Sequence, residues 1–165
     1  MIPLAEKYRP RQVAEVLGQP KAVALAQRII QSGAGGQAVW ISGPSGTGKT
    51  TLARIIADSI ADRFYQREYD SADQFTQAAY DEFAETMHYS SLGKGGRALI
   101  VNEAHGLSAR IVRQLLGLLE RIPPHVVVIF TTTRDGQEQL FDESIEEGPL
   151  LSRCRKLKLT NQALV

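Results

Sequence analysis

The chain is 165 residues long, 43% hydrophobic and 22% charged, which suits one domain with a sizeable core and excludes a disordered chain. Its 19 basic and 18 acidic residues leave a net charge of +1, so overall charge says nothing about nucleic acid. The single cysteine, Cys154, excludes an intrachain disulfide and a cysteine-rich zinc module, and His88, His105 and His125 are too scattered in sequence to suggest a metal site.

Taken in chain order, Pro20 suits the first turn of a helix near 20–32, and the loop 32–36 (SGAGG) leads into a short apolar strand at 38–42 (AVWIS). A helix opens at Lys49, with Leu52, Ile55, Ile56 and Ile60 on one face. A second strand is expected at 63–70 (RFYQREYD), followed by a helix that Ser71 and Gln74 open as a capping box. That helix carries Phe75, Ala79, Phe83 and Met87 on one ridge, and the aromatic residues of 64–83 are expected in the core rather than as a base-stacking platform. After the loop 91–96 (SLGKGG) comes a third strand, 97–102 (RALIVN). Ser108 caps the next helix, with Ile111, Leu115, Leu118, Leu119 and Ile122 inward, until Pro123 and Pro124 stop it. The run 125–133 (HVVVIFTTT) reads as a strand buried on both faces, and 155–159 (RKLKL) as a fifth strand. Strands alternating with helices predict an α/β fold, a parallel sheet with helices on both faces.

No apolar run approaches the ~20 residues needed to span a bilayer, and charges and prolines from Glu6 onward interrupt any leader pattern. The expected location is cytoplasmic, at the nucleoid, or nuclear in a eukaryote.

One motif carries chemistry directly. Residues 43–50, GPSGTGKT, match G-x-x-x-x-G-K-[ST] between a strand and a helix, the context that motif requires. Gly43, Gly46 and Gly48 let the backbone curl, and the N–H groups of Pro44's successors Ser45, Gly46, Thr47 and Gly48 form an anion nest. The helix N-terminus, with Lys49, Thr50 and Thr51, adds its positive end. Lys49 is placed to reach the β- and γ-phosphates of ATP, and Thr50 to offer its hydroxyl to Mg²⁺.

With this loop in place, four further stretches resemble the AAA+ module of clamp-loader subunits, such as the small subunits of replication factor C and the bacterial DNA polymerase III loader. They are 6–19 (EKYRPRQVAEVLGQ), 99–108 (LIVNEAHGLS), 113–133 (RQLLGLLERIPPHVVVIFTTT) and 150–159 (LLSRCRKLKL). The resemblance implies a P-loop NTPase with a five-stranded parallel sheet in the order 5-1-4-3-2. It implies one nucleotide-binding domain over 1–165, made of an adenine-flanking segment and helix (1–37) and a core (38–165). The family's helical lid and collar are expected to be absent, as in an excised fragment, and 134–149 is longer and more acidic than the family's pattern.

By matching position, Tyr8, Arg9, Pro10, Val16, Leu17 and Gly18 would flank the adenine. Glu103 would orient the attacking water, Thr132 or Thr133 would be sensor 1, and Arg153 of the Ser-Arg-Cys motif would reach a neighbouring subunit's nucleotide. The implied partners are other clamp-loader subunits, a sliding clamp and primer-template DNA, with Arg110 and Arg113 candidates for the DNA backbone; no membrane is involved. The alternatives are a nucleotide-binding scaffold subunit that supplies Arg153 without hydrolysing, or another AAA+ DNA motor.

Asn102 departs from the resemblance, because the family usually has Asp there. Asn keeps one acceptor oxygen and nearly the same shape but loses the charge. A unit charge ~5 Å from a divalent ion is worth several kcal/mol before compensation. Weaker Mg²⁺ retention and slow or partner-dependent turnover are therefore expected, with nucleotide binding largely kept.

Overall fold

A computed structural model of the chain describes residues 2–16, 18–133 and 147–161. Two helices precede the sheet, a single turn α1 (Leu4–Lys7) and α2 (Pro20–Ser32), the latter with Pro20 in its first turn. The core then alternates β1 (Gln37–Ser42), α3 (Lys49–Asp58), β2 (Gln66–Tyr69), α4 (Gln77–Thr86), β3 (Arg97–Val101), α5 (Ala109–Leu119), β4 (Val126–Thr132), α6 (Glu147–Ser152) and β5 (Cys154–Lys158). All four strand pairings are parallel, in the order β2-β3-β4-β1-β5. This is the expected 5-1-4-3-2 sheet.

The sheet divides the core in two. Val39, Ile41, Ile100, Val127 and Ile129 face α2 and α3, where they meet Ala26, Ile29, Leu52 and Ile56. Trp40, Leu99, Val101, Val128 and Phe130 face α4, α5 and α6, against Phe83, Leu115, Leu118 and Leu150. Period-2 alternation thus buries both faces of β3 and β4, which is why their sequences are almost wholly apolar. Helix α5 begins as expected: the Ser108 hydroxyl accepts from the Ile111 N–H at 3.3 Å. Its stripe of Ile111, Val112, Leu115, Leu118 and Leu119 is buried, each side chain stabilising the fold by about 1.5–3 kcal/mol.

Three elements differ from expectation. The second strand is shorter, since Arg63–Tyr65 form a 3-10 turn before β2. Phe64 is 78% exposed, whereas Phe75 and Phe83 join the core as expected. The capping box at Ser71 does not open the next helix; Ala72–Gln74 make a 3-10 turn, and the Gln74 side chain accepts from the Asp70 N–H at 3.1 Å. Helix α4 instead starts at Gln77, with Thr76 accepting from Ala79 N–H at 3.3 Å. Burial of Ala72 and Phe75 fixes the intervening turn. Helix α6 was not expected from the sequence. Most of the acidic stretch 134–149 lies outside the described residues, as does Leu17.

Candidate nucleotide site

At the carboxyl edge of β1 the chain turns sharply into the glycine-rich loop. Gly43 packs so closely on the chain beyond β5 that a Cβ would stand 2.6 Å from the Leu159 carbonyl oxygen. Gly48, the N-cap of α3, is left-handed at φ 95°, a conformation that favours glycine. Pro44, Ser45 and Gly46 are exposed, and Lys49 is buried at the base. The Lys49 ammonium donates to the Pro44 carbonyl oxygen at 2.8 Å, and the Thr47 hydroxyl to the same oxygen at 2.7 Å. Burial lowers the Lys49 pKa, while the nearby Glu103 carboxylate pulls it back up. Among the described residues no carboxylate lies within ion-pair distance of this ammonium. A buried cation beneath an exposed loop of backbone N–H groups is the charge arrangement a polyphosphate requires.

The second wall comes from the ends of β3 and β4. Asn102 is buried, and its Oδ1 accepts from two hydroxyls: Thr50 at 3.2 Å and Thr131 at 2.7 Å. Its Nδ2 donates to Glu68 Oε1 at 3.1 Å. The other Glu68 oxygen takes a charge-assisted bond from Arg54 Nε at 2.8 Å. Arg54 lies 3.5 Å from Glu6, which also pairs with Arg9 at 3.1 Å. A polar chain therefore runs from Thr50 on α3 to the N-terminal segment.

Glu103 follows in a left-handed conformation, φ 52° and ψ 45°, the one positive φ outside glycine among the described residues. For glutamate that costs roughly 1–2 kcal/mol, and such strain clusters at functional sites. Its Oε2 accepts from the Thr133 hydroxyl at 3.2 Å and lies 3.5 Å from His105 Nδ1, which in turn lies 2.8 Å from the Thr132 hydroxyl. Thr131, Glu68, Arg54 and His105 also belong to this wall, and no motif in the sequence marks them. Thr131 sits one residue before the expected sensor pair, and the others become visible only when the strands are in register.

The loop and this wall hold Gly43–Thr51, Asn102, Glu103, Thr132 and Thr133 together at one edge of the sheet. The N-terminal residues are placed differently. Arg9 and Pro10 line a polar cavity of about 560 Å³ with Glu6, Arg54, Asp58 and Glu68, and the loop 43–50 is not part of its wall. Tyr8 is exposed, Val16 packs against the core beside α2, and Gly18 has φ 77°.

Comparison with known proteins fits this arrangement. The ATPase family associated with various cellular activities, AAA, matches residues 39–157, from β1 through β5. The chain belongs to the AAA family. The match includes the loop, Asn102, Glu103 and Arg153. DNA polymerase III subunit gamma of Buchnera aphidicola is 27% identical, over 94% of this chain and 47% of that protein. The replication factor C large subunit of Pyrococcus abyssi is 31% identical, over 73% of this chain and 26% of that protein. These relatives support the clamp-loader likeness read from the sequence. Among solved structures, the Thermotoga maritima RuvB Holliday junction branch migration motor superposes with a TM-score of 0.68 at 25% identity, over 92% of this chain and 48% of that one. The AAA domain thus spans about half the length or less of these relatives.

Arg153 of this AAA domain sits elsewhere. Cys154 pairs with Ala38 and Lys158 with Ser42, so Arg153 lies at the amino edge of the sheet, roughly 17 Å along the strands from the edge that carries the loop. It donates to Glu120 Oε1 from Nη2 at 2.8 Å and from Nε at 3.3 Å, and to the Pro149 carbonyl at 3.0 Å. These contacts hold the Arg153 side chain against Glu120 and Pro149, at the edge opposite its own loop. Cys154 packs beside it, its thiol donating to the Leu150 carbonyl at 3.2 Å; burial pushes its pKa up to about 12. Among the described residues there is no helix long and apolar enough to cross a membrane and no group of three or more metal-binding side chains.

Proposed function

We propose that this AAA domain binds ATP with Mg²⁺ and hydrolyses it slowly, as part of a clamp-loader-like subunit that helps place a sliding clamp on primer-template DNA. The observation that carries the reading is the joining of three parts at one edge: the buried Lys49 under the loop, the Thr50–Asn102 pair, and the strained Glu103. Lys49 and the loop amides hold the β- and γ-phosphates. In this reading Tyr8, Arg9, Pro10, Val16 and Gly18 would flank the adenine, as the clamp-loader resemblance implies. The donor set fits a hard divalent cation, which the Thr50 hydroxyl and Asn102 Oδ1, 3.2 Å apart, would hold. When bound, Mg²⁺ supplies charge neutralisation on the phosphates.

In hydrolysis Glu103 takes a proton from water as the water oxygen bonds to the γ-phosphorus and the bond to the β,γ-bridging oxygen breaks. Thr132 and Thr133 position that water and the γ-phosphate. Arg153 neutralises developing charge in a neighbouring subunit, a contribution of about 10³–10⁵ in rate where such fingers operate. The kinship with DNA polymerase III and replication factor C subunits supports partner subunits, a sliding clamp and DNA as what this domain works with.

The scaffold reading is favoured by one observation, the neutral residue at position 102. Asn102→Asp decides between them. It is expected to lower the Mg²⁺ needed for ATP binding and to raise steady-state turnover, alone and with partner subunits, since it returns a charge worth several kcal/mol before solvent compensation. It is also expected to lower the melting temperature in EDTA, because a carboxylate would then face Glu68 across the present 3.1 Å contact. Equal turnover by the two proteins would favour the scaffold. A branch-migration role, suggested by the likeness to RuvB, would instead give ATP-dependent movement of four-way junctions by the full-length protein.

A further inference from the structure

The amide of Asn102 presents two nearly identical ends to its surroundings. Rotated by 180°, it would fill the same space with its NH₂ group toward Thr50, and a donor there would repel a cation. The two hydroxyls cannot set its orientation, because Thr50 and Thr131 each donate or accept as required. Glu68 can. A carboxylate only accepts, so the side of Asn102 facing it must be Nδ2, at 3.1 Å. Arg54, at 2.8 Å from the far oxygen, holds that carboxylate in place. Glu68 comes from β2, in register with Ile100 two residues before Asn102 on β3.

We propose that Glu68 is a positioning residue for the metal side of the site: it locks the Asn102 amide with Oδ1 toward Thr50, and Arg54 anchors it. This rests on the reading of Asn102 as the residue that faces Mg²⁺. An aspartate at 102 has two equivalent oxygens and no orientation to lock, so Glu68 helps an Asn and opposes an Asp. That reversal distinguishes positioning from a merely structural role.

The test measures ATP binding by calorimetry across a Mg²⁺ titration, and in EDTA, for the wild type, Glu68→Gln, Asn102→Asp, the double variant and Asn102→Ala. A glutamine presents either a donor or an acceptor and removes the lock at constant size. Glu68→Gln is expected to raise the Mg²⁺ concentration for half-maximal binding about fivefold with Asn102 present, the worth of one net hydrogen bond, with binding in EDTA unchanged. In the Asn102→Asp background the same change is expected to leave that concentration unchanged or lower it. An equal rise in both backgrounds, or no rise in either, overturns the proposal. If Asn102→Ala leaves the Mg²⁺ dependence untouched, the metal reading itself has failed; if it shifts the dependence while Glu68→Gln does not, only the positioning role has failed. A measurement on the unaltered, nucleotide-free protein needs no variant to fold. The Asn102 side-chain NH₂ protons are expected to exchange slowly with solvent and to show a coupling across the hydrogen bond to Glu68, and fast exchange without that coupling overturns the proposal.

Discussion

Lys49→Met should weaken ATP binding by about 10²–10³-fold, since truncating one partner of a buried charged contact costs roughly 3–4 kcal/mol. The methionine keeps the aliphatic packing of a side chain that is 7% exposed and removes only its charge. Folding should not suffer, because the ammonium is desolvated and its hydrogen bond goes to a neutral carbonyl. The expected signature is a melting temperature equal to or above that of the wild type without ligand, and loss of the upward shift that ATP gives the wild type. Binding within threefold of wild type would remove the foundation of the nucleotide reading.

The same lysine sets a pH dependence with opposed slopes. Its folded-state pKa is lowered from 10.5, chiefly by desolvation. Between that lowered value and 10.5 the unfolded chain carries more protons than the folded one, so Lys49 makes ligand-free stability rise with pH in that window. ATP binds the protonated form, so its affinity falls as pH rises through the same window. Lys49→Met should remove both slopes, which calorimetry and thermal melts at alkaline pH would register.

Glu103→Gln is expected to leave ATP affinity within a few-fold of wild type and to reduce turnover by about 10²–10⁴, the usual contribution of a positioned base. Glutamine retains the contact with Thr133, which is 3.2 Å from Glu103 Oε2, because its side-chain oxygen still accepts. The protein should therefore fold normally and hold ATP without consuming it. Turnover unchanged by this substitution would show that Glu103 is not the base and would leave the scaffold reading standing. Single-turnover measurements on the subunit with its partners make the comparison independent of product release.

The phosphate loop was legible in full because its chemistry is local: fixed spacing, obligatory glycines and an adjoining strand and helix all lie within a dozen residues. Sheet order came with the resemblance, and the five strands were legible from their apolar runs. The Asn102–Glu68–Arg54 chain was not. Glu68 is one polar residue in a strand that reads QREY, and nothing near it in sequence marks a partner 34 residues away. Only the parallel register of β2 and β3 brings the two side chains together. Thr131 was passed over for a similar reason, since a run of three threonines does not say which hydroxyl meets which wall. Helix α6 escaped because Gly148 and Pro149 suppress helical propensity within a six-residue segment. The start of α4 is ambiguous in the sequence because Ser71 and Thr76 are both good caps, and burial of Phe75 between them decides in favour of the later one.

The left-handed backbone at position 103 sets heat tolerance against turnover at a single codon. Glycine would relax that backbone and abolish the carboxylate together. A laboratory lineage selected only for survival on heating would drift toward glycine there and accumulate robust, idle descendants. Engineers wanting a hardier working version of this domain must look for their gains at other positions and screen for phosphate release at every round.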